Sequence, residues 1–371
     1  MSEHQFLHFL AIDRPLDHEQ LKYMRRQSGR GTLTRREFTA EYHDDDFDGK
    51  PLGMMRRGFD LHVHFANFGI RQLMFRLPHG FPGGVTALQP WLIKHQIVWS
   101  QDKTGPGGVL QVNPEGDTER WNDYFCDIED LLQELVPVRE LLIQGDLRPL
   151  YLAWLGCAPP EAEEPPVPAG LKALPQPLQL MADFYEVREC LIQVAADESA
   201  AISETVAPQL PILPWLEKKS EKQRIALLEQ LLNDDSGAVR ADVLQSIRET
   251  VTPIQWPTTK TSRTMEELLQ LAEVRNQVLE REKQAAEEEQ RRKHLAALAE
   301  NPDRIVKKIT KLVSQRTLAN YSEAVTLLCD LREALGPSAG PHFTSSVATQ
   351  LRQTFRHTTG LIGQLKEHGF L

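Results

Sequence analysis

Hydrophobic and polar residues alternate in several short runs over the first 115 positions of the chain. The clearest run covers residues 60–67, where Leu61, Val63 and Phe65 alternate with polar side chains. A period of two is typical of a half-buried β-strand. Similar runs predict further strands at 8–12, 38–42, 71–77, 97–99 and 109–112.

Short helices and turns separate these predicted strands. Asp17 is placed to cap a helix that begins in the next turn of the chain. The runs at 60–67 and 71–77 stand on either side of a glycine-containing break and predict a hairpin. A second hairpin is predicted around the glycine-rich residues 105–108. Strands interleaved with short helices predict an α+β domain over residues 1–157.

The hydrophobic period changes to that of helices after residue 121, and two packed helices complete the first domain. Residues 158–170 hold five prolines and three glutamates. They predict an exposed, semi-extended linker, because proline lacks the backbone donor that helices and sheets require. Residues 171–251 predict a helical region. Its helix–turn–helix at 222–248 resembles one unit of a HEAT-type repeat, although a single unit is more typical of an ordinary helical pair.

A long charged helix is predicted at 264–300, after a second linker at 252–263. Three consecutive glutamates stand four residues before a basic residue, as Glu287/Arg291, Glu288/Arg292 and Glu289/Lys293. Each such pair contributes roughly 0.2–0.5 kcal/mol in an isolated helix. Charged residues interrupt any heptad seam, which favours a solvated spacer helix over a weak coiled coil. Residues 301–371 predict a small C-terminal bundle of about four short helices.

Composition and charge narrow the class of protein. The net charge of −10 disfavours non-specific binding to a polyanion by the molecule as a whole. No apolar stretch is long enough to cross a membrane, and the first residues lack the apolar core of a signal peptide. The cysteines are far apart, which predicts reduced thiols rather than a disulfide scaffold. We therefore expect a cytoplasmic protein with no membrane partner.

Several stretches of the chain share a pattern with bacterial proteins. They are residues 9–16, 41–51, 71–78, 146–155, the proline-rich linker, 321–325 with 331–332, and 365–371. On these residues the chain resembles a family of uncharacterised bacterial proteins. Its C-terminal part is similar to segments of SWIM-type zinc-finger proteins, and this resemblance implies company with helicase-like ATPases. The cysteine and histidine ligands of the zinc finger itself are not in this sequence.

Residues 60–64, Asp-Leu-His-Val-His, are the strongest candidate for a metal site. On a strand, Asp60, His62 and His64 share one face, roughly 6.5–7 Å apart between successive residues. Asp-x-His-x-His opens the metal site of amidohydrolases, where imidazoles bind zinc that polarises water. That fold needs eight βα units and further ligands, and the sequence shows neither. The pattern favours a polar strand face, with a metal-dependent hydrolase as the alternative.

The acidic turn after the second long strand is a candidate partner-binding loop. Its residues are Tyr42, His43, Asp44, Asp46 and Asp48. Clustered carboxylates can bind Mg²⁺ or Ca²⁺, but the glutamate of a calcium loop is not at the required distance. A charged turn that precedes a helix is the simplest interpretation. The next is binding of a protein partner, because loops often carry function.

Arginines are grouped in the first domain and could form one positive patch. They are Arg25, Arg26, Arg30, Arg35, Arg36, Arg56 and Arg57. Aromatic residues, on which single-strand binders stack bases, are sparse among them. The pattern favours a solvated surface, with a nucleic-acid or acidic-partner patch as the alternative.

The sequence as a whole favours a non-catalytic scaffold or adaptor in a cytoplasmic bacterial multi-protein assembly. Two globular ends joined by a charged helix suit a bridging protein, and the resemblance connects that assembly with nucleic-acid handling or phage defence. The alternatives are a metal-dependent hydrolase at His62/His64 or at Asp44–Asp48, and nucleic-acid binding through the arginines. We expect other proteins as partners, no cofactor and no catalytic residue.

Overall fold

The chain forms two compact units, Met1–Arg275 and Asn276–Leu371. The computed structural model describes residues 3–116, 128–202, 212–234, 238–248, 250 and 256–371. The start of the helix predicted after residue 121 and the first part of the linker predicted at 252–263 lie outside these residues.

In the described part of the first unit, seven strands form one antiparallel sheet in the order β2-β3-β1-β4-β5-β7-β6. The strands are β1 (His4–Leu10), β2 (Thr32–Leu33), β3 (Glu37–His43), β4 (Leu61–Ala66), β5 (Ile70–Leu77), β6 (Ile97–Gln101) and β7 (Gly108–Val112). Both predicted hairpins are confirmed, since β4 pairs with β5 and β6 pairs with β7. The sheet and the helices around it confirm the predicted α+β class.

The alternating pattern separates two apolar cores on the two faces of the sheet. Val63 and Phe65 of β4 belong to a larger core, whereas Leu7 and Phe9 of β1 belong to a smaller one. Successive side chains of a strand point to opposite faces, so the sequence decides which residues share a core. Asp17 caps the first helix as predicted, by accepting a hydrogen bond from a backbone N–H of its first turn. Two helices contribute to the smaller core, namely α1 (His18–Arg25) and α2 (Pro51–Arg57).

Helices supply most of the larger core. They are α3 (Gly84–Leu88), α4 (Ile128–Glu134), α5 (Val136–Gln144), α6 (Arg148–Cys157), α7 (Gln176–Phe184) and α8 (Glu189–Asp197). Helix α6 is buried along nearly its whole length, as its largely apolar circumference requires. Gly145 adopts a positive φ of 88° and ends α5, which leaves the chain free to turn into α6.

The segment 158–170 differs from the exposed linker that its prolines predict. Glu164 and Val167 are buried, and β8 (Val167–Pro168) pairs with β9 (Thr258–Thr259). Arg263 neutralises the Glu164 carboxylate through two hydrogen bonds of 2.8 Å. A buried carboxylate is tolerated when it is paired and hydrogen-bonded, and the partner here lies 99 residues further along the chain.

The predicted helix–turn–helix is present as two consecutive helices, preceded by a shorter one. They are α9 (Ile212–Glu217), α10 (Glu221–Leu232) and α11 (Ala238–Arg248). Residues 235–237 of the predicted turn lie outside the described residues. All twelve residues of α10 are described, and none of them is buried.

The predicted charged helix is α12 (Met265–Glu300). Its first turns belong to the first unit, where Met265, Leu268 and Ala272 are buried in the larger core. Residues 277–288 are all exposed, as the solvated-helix interpretation requires for this stretch.

One of the three predicted ion pairs of α12 forms, between Glu289 and Lys293 at 3.5 Å. Arg291 instead contacts Asp330 at 2.7 Å and Glu333 at 2.6 Å. The surface of α12 around Arg291 is therefore in contact with the bundle of the second unit and is not solvated on all sides.

The second unit closes as a helical bundle, in agreement with its sequence pattern. Within residues 301–371, all of which are described, it contains α13 (Pro302–Ser314), α14 (Leu318–Ala334), α15 (Gly336–Thr354) and α16 (Thr359–Glu367). Ile309, Ala324, Leu328 and Leu361 have no exposed surface and form the centre of its core. No helix of the described chain is long and apolar enough to cross a membrane.

A buried arginine joins α5 to the sheet. Arg139 has no exposed surface and donates to both oxygens of Asp13, at 3.0 and 2.6 Å, and to Asp60 at 3.2 Å. Its Nε also donates to the backbone carbonyl of Arg76 at 2.8 Å. One guanidinium thus contacts residues from the ends of β1, β4 and β5.

Substitution of Arg139 by Met should lower the free energy of unfolding of the first unit by about 3–5 kcal/mol, because the buried Asp60 and the partly buried Asp13 lose their partner. Urea titration followed by tryptophan fluorescence measures this unit alone, since all six tryptophans precede residue 257. Arg26→Met, at an exposed position, is the matched control and should stay within about 0.5 kcal/mol of the wild type. A loss below about 1 kcal/mol at Arg139 would contradict the assigned role.

Candidate functional site

Asp60 and His62 each form hydrogen bonds with other groups of the protein. Asp60 accepts hydrogen bonds from the backbone of Ile12 and Asp13, at 2.7 and 2.9 Å, and from Arg139. His62 has no exposed surface. Its ring stacks on Phe9 at 3.7 Å between centroids, and its Nδ1 lies 2.9 Å from a backbone carbonyl of β1. Burial lowers the pKa of His62 well below its usual range, and the neighbouring His64 acts in the same direction.

His64 has a protein partner as well. Its Nε2 lies 2.9 Å from the side-chain oxygen of Gln5, and its ring centroid is 6.4 Å from that of His62. Burial lowers the pKa of His64 to about 4, and Asp46 acts in the opposite direction. The arrangement fits the polar strand face that the alternation favours, with neutral imidazoles beside the smaller core.

The acidic turn is divided between the core and the surface. Tyr42 is buried, and its hydroxyl lies 2.6 Å from that of Ser28. The remaining predicted residues are exposed, namely His43, Asp44, Asp46 and Asp48. Asp44 accepts a hydrogen bond of 2.8 Å from the backbone of Glu3, and Asp46 accepts one of 3.3 Å from Gln5. The turn is therefore closed against the start of β1.

A different group of side chains has the spacing of metal ligands. Among the described residues, one group of histidines and carboxylates brings its ligand atoms within 4.8 Å of one another, and it consists of His4, Glu41 and His43. In the register of β1 and β3, His4 is opposite His43, and Phe6 is opposite Glu41. Burial and the nearby His43 lower the pKa of His4, while Glu41 raises it. Only His43 was singled out from the sequence. The spacing Glu41-x-His43 was a local signal for this face, but His4 joins it only through strand pairing.

The predicted arginines separate into two groups. Arg35, Arg56 and Arg57 line a cavity of about 680 Å³, together with Arg14 and Arg76. The other four predicted arginines do not line it, namely Arg25, Arg26, Arg30 and Arg36. Arg30 pairs instead with Asp45, and Arg36 donates to backbone carbonyls at the end of β1.

The cavity lies beside the ends of β1 and β5 and the end of α2. Arg76 contacts Asp102 at 2.5 Å, and Arg56 contacts the same carboxylate at 3.7 Å. The guanidinium of Arg57 stacks over the ring of Tyr23 at 3.8 Å. Arg14 forms an ion pair with an aspartate of α11, which also lines the cavity.

Two arginines that line this cavity, Arg14 and Arg76, were not among the residues predicted from the sequence. Arg14 and Arg76 belong to Asp13-Arg14-Pro15 and Arg76-Leu77-Pro78, which lie in two of the stretches that carry the family resemblance. An arginine one or two residues before a proline, as in Arg14-Pro15 and Arg76-Leu77-Pro78, was the available signal. The two motifs are far apart in the sequence, so the sequence alone did not show that both arginines line one cavity.

Comparison of the chain with protein-family models, with curated proteins and with solved structures finds no match. The resemblance to bacterial SWIM-associated proteins therefore stays a prediction, and the role of each site follows from its geometry.

The buried imidazole of His64 predicts a pH dependence of stability. The pKa of His64 is about 4 in the folded chain, against an ordinary value of 6.5, so only the unfolded chain takes up the proton between these values. The contribution of His64 is complete above pH 6.5 and is lost as the pH falls toward about 4.

The measurement is the free energy of unfolding between pH 7 and pH 4.5, followed by tryptophan fluorescence. His64→Gln should make the decrease on acidification shallower, whereas the exposed His18→Gln should leave it unchanged. Equal pH profiles for wild type and His64→Gln would show that the folded chain protonates His64 normally.

Proposed function

We propose that the chain is a non-catalytic adaptor of a cytoplasmic bacterial multi-protein assembly, and that it binds a protein partner through α10. The observation that carries the proposal is a row of exposed aliphatic side chains on this helix, here named the α10 row. It consists of Ile225, Leu228 and Leu232, whose exposed fractions are 60%, 58% and 77%.

The α10 row has the geometry of a helix-packing surface. Its members are spaced by three and four residues, so they lie on one side of the helix. Leu227 points elsewhere, because it lines a groove with Val239 and Val243 of α11. Helix α10 therefore has one apolar side toward α11 and another open to solvent. Contiguous exposed apolar surface is rare on proteins that act alone.

The occupant that suits this surface is an amphipathic helix of a partner protein. Helical pairs of the HEAT type bury their faces against a neighbouring pair, and the α10 row is the exposed apolar face of the α10–α11 pair within the described residues. A partner helix with apolar residues at the same three- and four-residue spacing would complete that packing.

The cytoplasmic location and the kind of assembly are part of the proposal. Free thiols support a reducing compartment, and the three cysteines within the described residues are free. The resemblance to bacterial SWIM-associated proteins supports an assembly that handles nucleic acid or defends against phage.

Substitution of Leu228 and Leu232 by Glu should remove the partner without unfolding the chain, because both side chains are exposed. The experiment compares quantitative co-purification of the tagged wild type and the double variant from the native host. Leu318→Glu, whose leucine is 71% exposed on the second unit, is the control. We expect one protein in near-equal amount with the wild type and the control, and its loss from the double variant.

Two results would contradict this function. One is co-purification of the same set of proteins with the wild type, the double variant and the Leu318→Glu control. The other is a wild-type chain that forms dimers by light scattering while the double variant is monomeric, which would assign the α10 row to self-association.

The arginine-lined cavity favours a second candidate function, the binding of nucleic acid through its phosphates. Five arginines converge on it, and guanidinium groups match phosphate oxygens in geometry and charge. Four aspartates also line the cavity; Asp13 and Asp60 share Arg139 as their partner, and Asp242 pairs with Arg14. The donors of Arg35 and Arg57 are the ones we assign to phosphate contact.

Binding of a labelled single-stranded oligonucleotide, measured by fluorescence anisotropy, tests this second candidate. The double variant Arg35→Gln/Arg57→Gln should weaken binding at low salt and reduce the salt slope by about one per lost phosphate contact. Arg25→Gln/Arg26→Gln removes the same charge outside the cavity and should change binding less. Equal weakening by both variants, or no binding by the wild type at low salt, would contradict it.

A further inference from the structure

Two strands bring two imidazoles and one carboxylate together on the same face of the sheet. The rings of His4 and His43 stack with centroids 4.0 Å apart and an angle of 18° between their planes. The Nε2 atoms of both rings lie 3.9 Å from the same oxygen of Glu41. These distances are too long for direct hydrogen bonds between the imidazoles and the carboxylate. The three donor atoms lie within 4.8 Å of one another, and the stacked His43 ring would have to turn for both nitrogens to face one ion.

The donor set is the one that catalytic zinc sites use. Two histidines and one glutamate bind Zn²⁺ with bonds of about 2.0–2.2 Å and leave a fourth position for water or another ligand. Donor atoms in such a tetrahedral shell are about 3.4 Å apart. The observed 3.9 Å between each Nε2 and the Glu41 oxygen is within a few tenths of an ångström of that separation, and the remaining change is a rotation of the His43 ring out of the stack.

Two of the three side chains are exposed, which allows that movement. His4 is 9% exposed and is held in β1 between two neighbouring strands. Glu41 and His43 are exposed and can rotate. In the described chain β2 pairs only with Phe38 and Thr39 of β3, so β3 is the sheet edge at Glu41 and His43. One donor is thus fixed, and two adjustable donors stand beside solvent.

We propose that His4, Glu41 and His43 bind one divalent transition-metal ion of the zinc class through two imidazole nitrogens and one carboxylate oxygen. Neutral imidazole is the form that binds a metal. The bound ion would link β1 to β3 at the end of the pair where His4 is opposite His43. It would also hold one coordination position open toward solvent.

This site is separate from Asp60, His62 and His64. Those residues lie on β4 or directly before it, and each is bonded to other protein groups. The site is also independent of the proposed adaptor function, because the α10 row contributes none of its ligands.

The test uses the untagged full-length protein after treatment with a chelator, titrated with ZnCl₂ by isothermal calorimetry at neutral pH. We expect one Zn²⁺ per chain and a rise in the melting temperature of the first unit, because a ligand that binds only the folded state stabilises it. His43→Gln and Glu41→Gln should each weaken binding at least as much as loss of an outer-shell partner does, about 10- to 100-fold. Both side chains are exposed, so these variants should fold.

Two further variants make the result specific. His18→Gln removes an exposed histidine outside the group, and His64→Gln removes a member of the pair on β4; neither should change Zn²⁺ affinity. Three results would overturn the proposal: no stoichiometric binding by the wild type, equal binding by wild type and His43→Gln, or loss of binding in His64→Gln.

Discussion

The first unit depends on the ion pairs and hydrogen bonds that the buried guanidinium of Arg139 makes. A fully buried charge is stable only when its partners satisfy it, and Asp13, Asp60 and the carbonyl of Arg76 do so from the ends of three strands. These partners position α5 against one end of the sheet. They also determine the cavity at that end, because Asp13, Asp60 and Arg76 line it. The candidate anion site is therefore a consequence of the same ion pairs that hold helix and sheet together.

The sheet divides its polar residues between different environments. His62 lies within the sheet beside the smaller core, and burial keeps its ring neutral. His4, by contrast, shares a face with Glu41 and His43 at the edge of the sheet, where two of the three donors reach solvent. His62 is buried and hydrogen-bonds to β1 through one ring nitrogen, whereas Glu41 and His43 are exposed beside His4 and can change partners. This difference explains why the geometry favours a metal ion at the edge site and not at the Asp-x-His-x-His motif.

The helical parts differ in how their apolar positions are covered. The second unit forms one aliphatic core but leaves Leu318 71% exposed, and α12 exposes Leu271, Val274 and Val278 among its many charged residues. On α10, three aliphatic residues at helical spacing are each exposed by 58% or more. An apolar surface of this kind costs free energy in water, so we expect it to be covered in the cell. The proposed adaptor function rests on that cost.

Local pattern determined much of this protein. The alternation at 60–67 and 71–77 and the cap at Asp17 predicted the hairpin and the first helix, because strand and helix periods depend on residues close in the sequence. The tertiary structure alone decided which distant residues meet. His4 reaches His43 only because β1 pairs with β3, and the buried Glu164 is satisfied by Arg263, 99 residues away, together with the hydroxyls of Tyr151 and Thr261. The prolines around Glu164 predicted an exposed segment. Local composition carries no information about a partner far away in the sequence, so that prediction was wrong. Strand order and ion pairing over such separations depend on the packing of the whole unit, and no local period encodes them.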